Sequence, residues 1–466
     1  MMKHHLLLLI SILLFIQCKK KSIEADYLIE DINILNVKTG QIEPHQYIAI
    51  TDQIISGIFS KPISTNPSCQ KIKASGQYII PGLWDMHTHY SWNHNISNPL
   101  LIANGVTGIR EMWGTLPVIN DIKTKIEIDN FTAPNIYSAG NIIDGPKPIW
   151  PGSAAIESPE DVDKELTDQA KAGADFFKVY SLLTPASYQA IATKSKELQI
   201  PFAGHIPGSV SIWDAIKAGQ KSFEHLYGVL EACTQDQEKL DSLSKGDYFG
   251  AGKMKYMVDG FDHEIFDSLS LNIAESESWV CPTLVVLHNI ANLDDTTMMD
   301  DPRMAYTPVF MKRMWNPKND FRFATRGPDF YEASQYQYEF QKSLLGQFAR
   351  DGVKILAGTD YSNPYCYPGF SLHDELALLV EGGLSPLQAL QAATINPAVF
   401  MKKTDDFGTI EVGKKASLVL LQENPLIDIN HTKKIDGVFL RGKYFSQEGI
   451  QGLLDTGRKL AEEMGT

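Results

Sequence analysis

Apolar and polar positions along this chain change rhythm twice. From Tyr27 to Ser60 the pattern is strand-like, with DYLIEDINILNV and QYIAITDQIISGIF separated by a turn around Thr39-Gly40. Two further runs of the same character, KKASLVLLQ from Lys414 and IDGVFLRGKYF from Ile435, lie near the other end. Strands from both termini are therefore expected to pair into one small β-domain. Between them, short apolar runs are each followed by a loop and an amphipathic stretch, the βα alternation of a parallel barrel. The candidate barrel strands are IIPGLWDMHTH, VTGIREMW, NIYSAGNII, ADFFKVY, IPFAGHIPG, KSFEHLYG, WVCPTLVVL and KILAGTDYS. Helical periodicity fills the gaps where such a barrel needs it, as in PEDVDKELTDQAKAGA before ADFFKVY and SYQAIATKSKELQ before IPFAGH.

The expected fold is α/β, a (β/α)8 TIM-type barrel over 78–402 with a small β-sandwich domain built from 22–77 and 403–466, the latter ending in a helix. Two insertions, about 229–278 and 288–350, are longer than simple crossovers, and the second is rich in aromatics from Trp315 to Phe340. They are either helical packing outside the barrel or a wall over a substrate site.

Composition narrows the classes. With 466 residues, 43% hydrophobic and 21% charged, the chain can bury a sizeable core. A net charge of −14 with no basic stretch in the body of the chain argues against nucleic acid as a partner. The N-terminus differs: Lys3, an apolar run from Leu6 to Ile16, then Cys18 followed by Lys19, Lys20 and Lys21. That run is too short to span a bilayer and reads as the core of a signal peptide within a 1–21 leader. The cysteine just after it points to an exported lipoprotein anchored through Cys18, facing the periplasm or cell exterior, although Phe15-Ile16-Gln17 departs from the small residues usual before such a cysteine. Membrane contact is expected only through that lipid. Cys69, Cys233, Cys281 and Cys366 are scattered without CxxC spacing and are expected as buried thiols rather than a disulfide framework. A homo-oligomer is compatible with all of this.

The chemistry sits at the strand ends. His87 and His89 alternate on one strand, so both rings point to the same side. In a parallel barrel, residues ending several strands converge on one face, which here adds Lys178, His205, His225 and Asp360. Four imidazoles and a carboxylate suit Zn²⁺ or a similar divalent ion.

At these residues the chain resembles the amidohydrolase superfamily from Tyr27 to about Lys443, through PGLWDMHTH, FFKVY, AGHIPG, FEHLYG and AGTDYSNP, and through HDELALLVEGGLSPLQALQAATINPA followed by FGTIEVGKKASLVLL. Within it the chain is most similar to the imidazolonepropionase-related group that includes metal-dependent prolidases. Ser417 departs from the Asp that relatives usually carry there. The resemblance implies two divalent ions. His87, His89 and Asp360 would hold the first, His205 and His225 the second, and a carbamate formed from Lys178 and CO₂ would bridge them. It also implies a metal-activated hydroxide as nucleophile, with Asp360 as general base and acid. Tyr180, on the same face as Lys178, is a candidate for supporting the oxyanion or binding a substrate carboxylate. Arg322 and Arg326 are candidates for a terminal carboxylate, and Arg110 and Glu111 for supporting contacts behind the ligands. His94 reads as loop surface, and His373 opens an amphipathic helix.

The expected activity is hydrolysis of an amide in a small molecule, a dipeptide of the Xaa-Pro type or an N-acyl amino acid. The alternatives are a mononuclear deaminase or cyclic-amide hydrolase of the imidazolonepropionase type, using His87, His89, His205 and Asp360, and a surface lipoprotein that binds a ligand without catalysis.

Overall fold

The computed structural model describes residues 22–128, 131–247 and 249–464. The 1–21 leader and Cys18 lie outside the described residues, and no described helix is long and apolar enough to cross a membrane. The four described cysteines are free thiols.

The N-terminal strands β1 (Tyr27–Leu35), β2 (Ile42–Thr51), β3 (Ile54–Phe59), β4 (Gln70–Lys73) and β5 (Tyr78–Pro81) precede the barrel strands. The latter are β6 (Leu83–Thr88), β7 (Val106–Glu111), β8 (Asn135–Ser138), β11 (Phe177–Val179), β12 (Phe202–Gly204), β13 (Ser222–Glu224) and β14 (Trp279–Cys281), and the two-residue strands β9 (Ile143–Asp144) and β10 (Ala154–Ala155) lie beside β11. Strands β15 (Leu418–Leu421), β16 (Ile435–Leu440) and β17 (Lys443–Ser446) close the chain's β content.

Strands from both ends form one sheet in the order β17-β16-β15-β5-β1-β2-β3, with β4 paired to β1. The two halves join where β15 runs antiparallel to β5, Leu420 opposite Ile79. The apolar positions of β1 lose strict alternation between Ile29 and Ile32. A register shift there, with Asp31 at φ 64°, lets Ile29, Ile32 and Ile34 share one core with Ile48, Ile50, Ile79 and Leu420. Leu28 and Ala49 pack in a separate cluster, so few positions of β1 are polar.

The middle of the chain is a TIM-barrel-like α/β domain. Parallel pairing runs β6-β7-β8 and β11-β12-β13-β14, and an isolated parallel bridge, Ala139 to Phe176, links the two runs. The eighth segment, around KILAGTDY, is a bridge on each side rather than a continuous ladder, Ile355 to Val280 and Tyr361 to Thr88. It is nonetheless held on both edges, by Val280 N–H donating to Lys354 O at 2.9 Å and Met86 N–H to Ala357 O at 2.8 Å.

Both long insertions are helical and meet over the strand ends. Met254, from the helix Ala251–Asp259, shares a cluster with Met311, Trp315, Phe330 and Tyr331 of the second insertion. Phe310, Met311, Met314 and Trp315 from the helix Val309–Trp315 line the central cavity, so the second insertion is a wall of the site.

Candidate active site

The six strand-end residues His87, His89, Lys178, His205, His225 and Asp360 line a single cavity of about 280 Å³. Two of them leave their strands in left-handed backbone, His225 at φ 61° and Asp360 at φ 58°. That conformation costs about 1–2 kcal/mol per non-glycine residue, strain that concentrates where a side chain must be aimed. Two glycines of the sequence motifs are required by close approach. A Cβ on Gly204, which has φ 136°, would lie 2.9 Å from Lys178 Cδ and 2.2 Å from Val179 O. A Cβ on Gly358 would lie 2.8 Å from His87 Cβ and 2.7 Å from Cys281 Sγ.

One ligating atom each from His87, His89 and Asp360 lies within 4.8 Å of the others. Asp360 Oδ1 is 2.9 Å from His89 Nε2 and 3.4 Å from His87 Nε2. The rings of His87 and His225 are 4.7 Å apart and those of His225 and His205 4.8 Å, so the four imidazoles form a continuous row from His89 to His205.

Each of the three buried rings is anchored through its Nδ1. His87 Nδ1 bonds Glu224 Oε2 at 2.7 Å, His225 Nδ1 bonds Thr283 Oγ1 at 2.7 Å, and His205 Nδ1 bonds Ser181 Oγ at 3.0 Å. Glu224 is itself fixed by Arg110, whose Nη2 donates to both carboxylate oxygens at 2.9 and 2.8 Å, and by Ser222 Oγ at 2.5 Å. Such anchoring sets the tautomer and leaves the other nitrogen's lone pair free for a ligand. Asp85, two positions before His87, ties the eighth segment to β6 by accepting from Thr359 Oγ1 at 2.6 Å and Thr359 N–H at 3.0 Å.

Burial sets the protonation states. It drives His87 and His205 well below the usual imidazole range and His225 down to about 4, so these rings are neutral ligand types at neutral pH. Burial likewise pulls the Lys178 ammonium down to about 8, against Glu224 and Asp360, which favour its charge. Burial works against charge on Asp360 too, but the surrounding imidazoles, His87 foremost, hold its carboxyl well below the usual carboxylate range.

The residues fit divalent metal. His89 Nδ1 is a buried polar atom without a hydrogen-bond partner, and Asp360 Oδ1 faces the Nε2 atoms of His89 and His87 without a well-aligned hydrogen bond to either; such atoms are costly unless something satisfies them. Neutral imidazoles and an ionised carboxylate are the donors a Zn²⁺-like ion takes. A second group, His87, Glu224 and Cys281, also lies close together, but His87 Nδ1 and Glu224 are already bonded to each other and Glu224 to Arg110.

Tyr180 stacks on His205 at 4.0 Å, and its hydroxyl accepts from Trp150 Nε1 at 2.8 Å. The two arginines separate. Arg322 lines the cavity, with Nε and Nη2 on Asp320 at 2.7 to 3.2 Å and Nη1 on Asn363 Oδ1 at 3.1 Å. Arg326 pairs with Asp247 and is not among the lining residues. His94 is half-buried near Ser91, and His373 is buried away from the cavity between Thr432 Oγ1 and Asn104 O, both at 3.0 Å. Glu111 is buried behind β6, receiving the Tyr90 N–H. Sequence reasoning missed Glu224, although an acid next to His225 on an otherwise apolar strand is a usable signal. It also missed Tyr227, whose ring lies 5.0 Å from His205 and 5.2 Å from His225.

Residues 342–444 match the model of the Amidohydrolase family. Ochratoxinase from Aspergillus niger is 22% identical over 480 residues, covering 86% of this chain and 83% of that one. Among solved structures, bottromycin amidohydrolase superposes with a TM-score of 0.72 at 22% identity, over 93% of this chain and 90% of that chain. A Xaa-Pro dipeptidase with bound methionine in the active site superposes with a TM-score of 0.66 at 20% identity, over 90% of this chain and 99% of that chain. At those identities the two superpositions carry the fold. Over residues 342–444 the chain is thus similar to the Amidohydrolase family, and over nearly its whole length it shares a fold with these hydrolases.

Proposed function

We propose that the chain hydrolyses the carbon–nitrogen bond of a small amide, a dipeptide or N-acyl amino acid, at a centre that takes two divalent ions, Zn²⁺ by donor type. The observation that carries this reading is Lys178, buried within the row of imidazoles with its ammonium pulled down to about 8. A lysine so poised loses its proton readily and could take up CO₂ as a carbamate, which would add anionic oxygen donors to the ligand set. His87, His89 and Asp360 would hold one ion and His205 and His225 the other. Bound there, the ions supply Lewis acidity and a water acidic enough to attack at neutral pH.

The remaining work falls to the chain's own groups. Asp360 accepts the proton of the attacking water and passes it to the departing amine, so water is consumed and acid and amine leave. Tyr180 and Tyr227, their hydroxyls kept protonated by burial, stand beside His205 as donors toward the developing oxyanion. The reading takes the barrel in the family's (β/α)8 form, with the terminal sheet folded as a β-sandwich, and the leader as the means of export with a lipid on Cys18. The neighbours named for ochratoxinase, bottromycin amidohydrolase and Xaa-Pro dipeptidase activity make an amide the first substrate to try.

A mononuclear centre is the second reading, favoured by one observation: His87, His89 and Asp360 converge more tightly than any set including His205 or His225 among the described residues. The test is amine release by the metal-loaded full chain across dipeptides, N-acyl amino acids and cyclic amides. Turnover of open-chain amides that is lost on chelation, restored by metal and lowered at least about 10³-fold in Asp360→Asn is the expected result. Turnover confined to cyclic amides favours the mononuclear reading, and silence with no metal bound overturns both.

A further inference from the structure

The cavity has two unlike halves. Its floor is the row of imidazoles with Lys178 and Asp360; its outer half is apolar and aromatic. The Trp113 ring stands perpendicular to that of His89, 6.2 Å away, and carries Trp92 at 4.7 Å and Trp150 at 6.0 Å. Trp150 is locked in turn by its bond to Tyr180 and by the Arg322 guanidinium 5.3 Å from its ring. An aromatic wall thus runs from a metal-ligand position outward, and the helix Val309–Trp315 lends Phe310, Met311 and Met314 to the same cavity.

Charge in this outer half is matched. Among the described lining residues, histidines apart, the cations are Lys178 on the floor and Arg322, and Arg322 is bound through two nitrogens to Asp320, which also lines the cavity. Trp92, Met314 and Phe310 nevertheless remain 58%, 56% and 42% exposed. Several large apolar side chains left to water at the mouth of a reactive cavity form a surface that a flat apolar group would cover. Indole faces and thioether sulfurs suit an aromatic ring in edge or offset contact.

We propose that this outer half is a subsite for an uncharged aromatic group joined to the scissile amide, so that the substrates are aryl or arylalkyl amides. The proposal rests on reading the floor as an amide-hydrolysing centre. It gives Arg322 a fixed role, holding Trp150 by stacking while Asp320 neutralises it, in place of capturing a substrate carboxylate. Trp92, Trp113 and Met314 become the specificity-determining residues.

The experiment uses the full metal-loaded chain and amide pairs that differ by one ring: methylamides of propionic and phenylpropionic acid, and acetamides of ethylamine and phenethylamine. In one pair the phenyl member is expected to have a kcat/KM about 10- to 100-fold higher, the span expected for burying one ring. Trp92→Ala and Met314→Ala, both at exposed positions, should each shrink that ratio several-fold, mainly through KM. Leu271→Ala, exposed on the helix His263–Glu275 and not among the cavity-lining residues, should leave it unchanged. Quenching of tryptophan fluorescence by phenylpropanol, with propanol as control, reads the subsite without turnover. Hydrolysis of both members at equal rates overturns the subsite and leaves the proposed function standing, as does a preference for a carboxylate- or ammonium-bearing group over phenyl. If neither these amides nor the dipeptides and N-acyl amino acids are cleaved but phenylpropanol binds in a Trp92-dependent manner, the subsite stands and the proposed function falls. No turnover and no quenching overturns both.

Discussion

The terminal sheet and the barrel floor are both buried, yet they are held together differently. The sheet's core is Ile29, Ile32, Ile48, Ile50, Ile79, Leu418 and Leu420, an aliphatic cluster whose stability is non-directional burial. The floor buries Asp85, His87, Arg110, Lys178, Glu224 and His225 almost completely, and each of these charged or polar groups matters through its particular partner. A buried ion pair such as Arg110 with Glu224 adds little net stability over an apolar pair of the same shape, because desolvation offsets attraction. What it fixes is orientation: Glu224 can hold His87 in one tautomer because Arg110 and Ser222 hold Glu224. One region can therefore lose a methyl group and keep its character, whereas the other cannot lose one partner without exposing the rest.

The sharpest way to break that contrast is Glu224→Ala. It leaves the Arg110 guanidinium buried without its anion, and about 3–5 kcal/mol of stability should be lost, measured by denaturant unfolding of the metal-free protein. Metal content should fall as well, since His87 loses its anchor. Leu420→Ala in the sheet should cost about 2–5 kcal/mol through the cavity it opens, while metal bound per folded chain stays at the wild-type value. If Leu420→Ala sheds metal as Glu224→Ala does, the two regions are not independent.

A smaller effect tests the seam between them. His373 joins the barrel to the segment that leads into β16, bonded to Asn104 O and Thr432 Oγ1, and burial lowers it from 6.5 to about 4. Its folded pKa lies below the unfolded one, so between those values the unfolded chain binds the extra proton. The stability it contributes is intact above about pH 6.5 and falls as pH drops toward 4. Going from pH 7 to 5 should therefore destabilise the native chain by about 2 kcal/mol more than His373→Gln. Equal losses in the two proteins would show that the ring is not held neutral.

Much of the frame is legible in the sequence because it follows from periodicity. Alternation brings His87 and His89 to one side of β6, and the rule that strand ends converge gathers Lys178, His205, His225 and Asp360 with them. The residues that hold those groups are not legible in the same way. Glu224 meets His87 across 137 positions, and Arg110 meets Glu224 across 114, pairings that only the closed sheet order creates. Arg326 shows the converse. Next to Arg322 in composition and spacing, it turns to Asp247 in the other insertion, a partner no local pattern announces. The eighth barrel segment reads as a strand from KILAG, but its ladder reduces to two bridges because the chain turns into left-handed backbone at Asp360.

The most direct test of the central claim, a floor built for two divalent ions bridged at Lys178, is metal stoichiometry by mass spectrometry on the folded full chain beside Lys178→Ala. Two ions per native chain, falling to one or none in Lys178→Ala with the fold retained by circular dichroism, is the predicted result. One ion in both proteins would contradict it and leave the tight group of His87, His89 and Asp360 as the whole metal site.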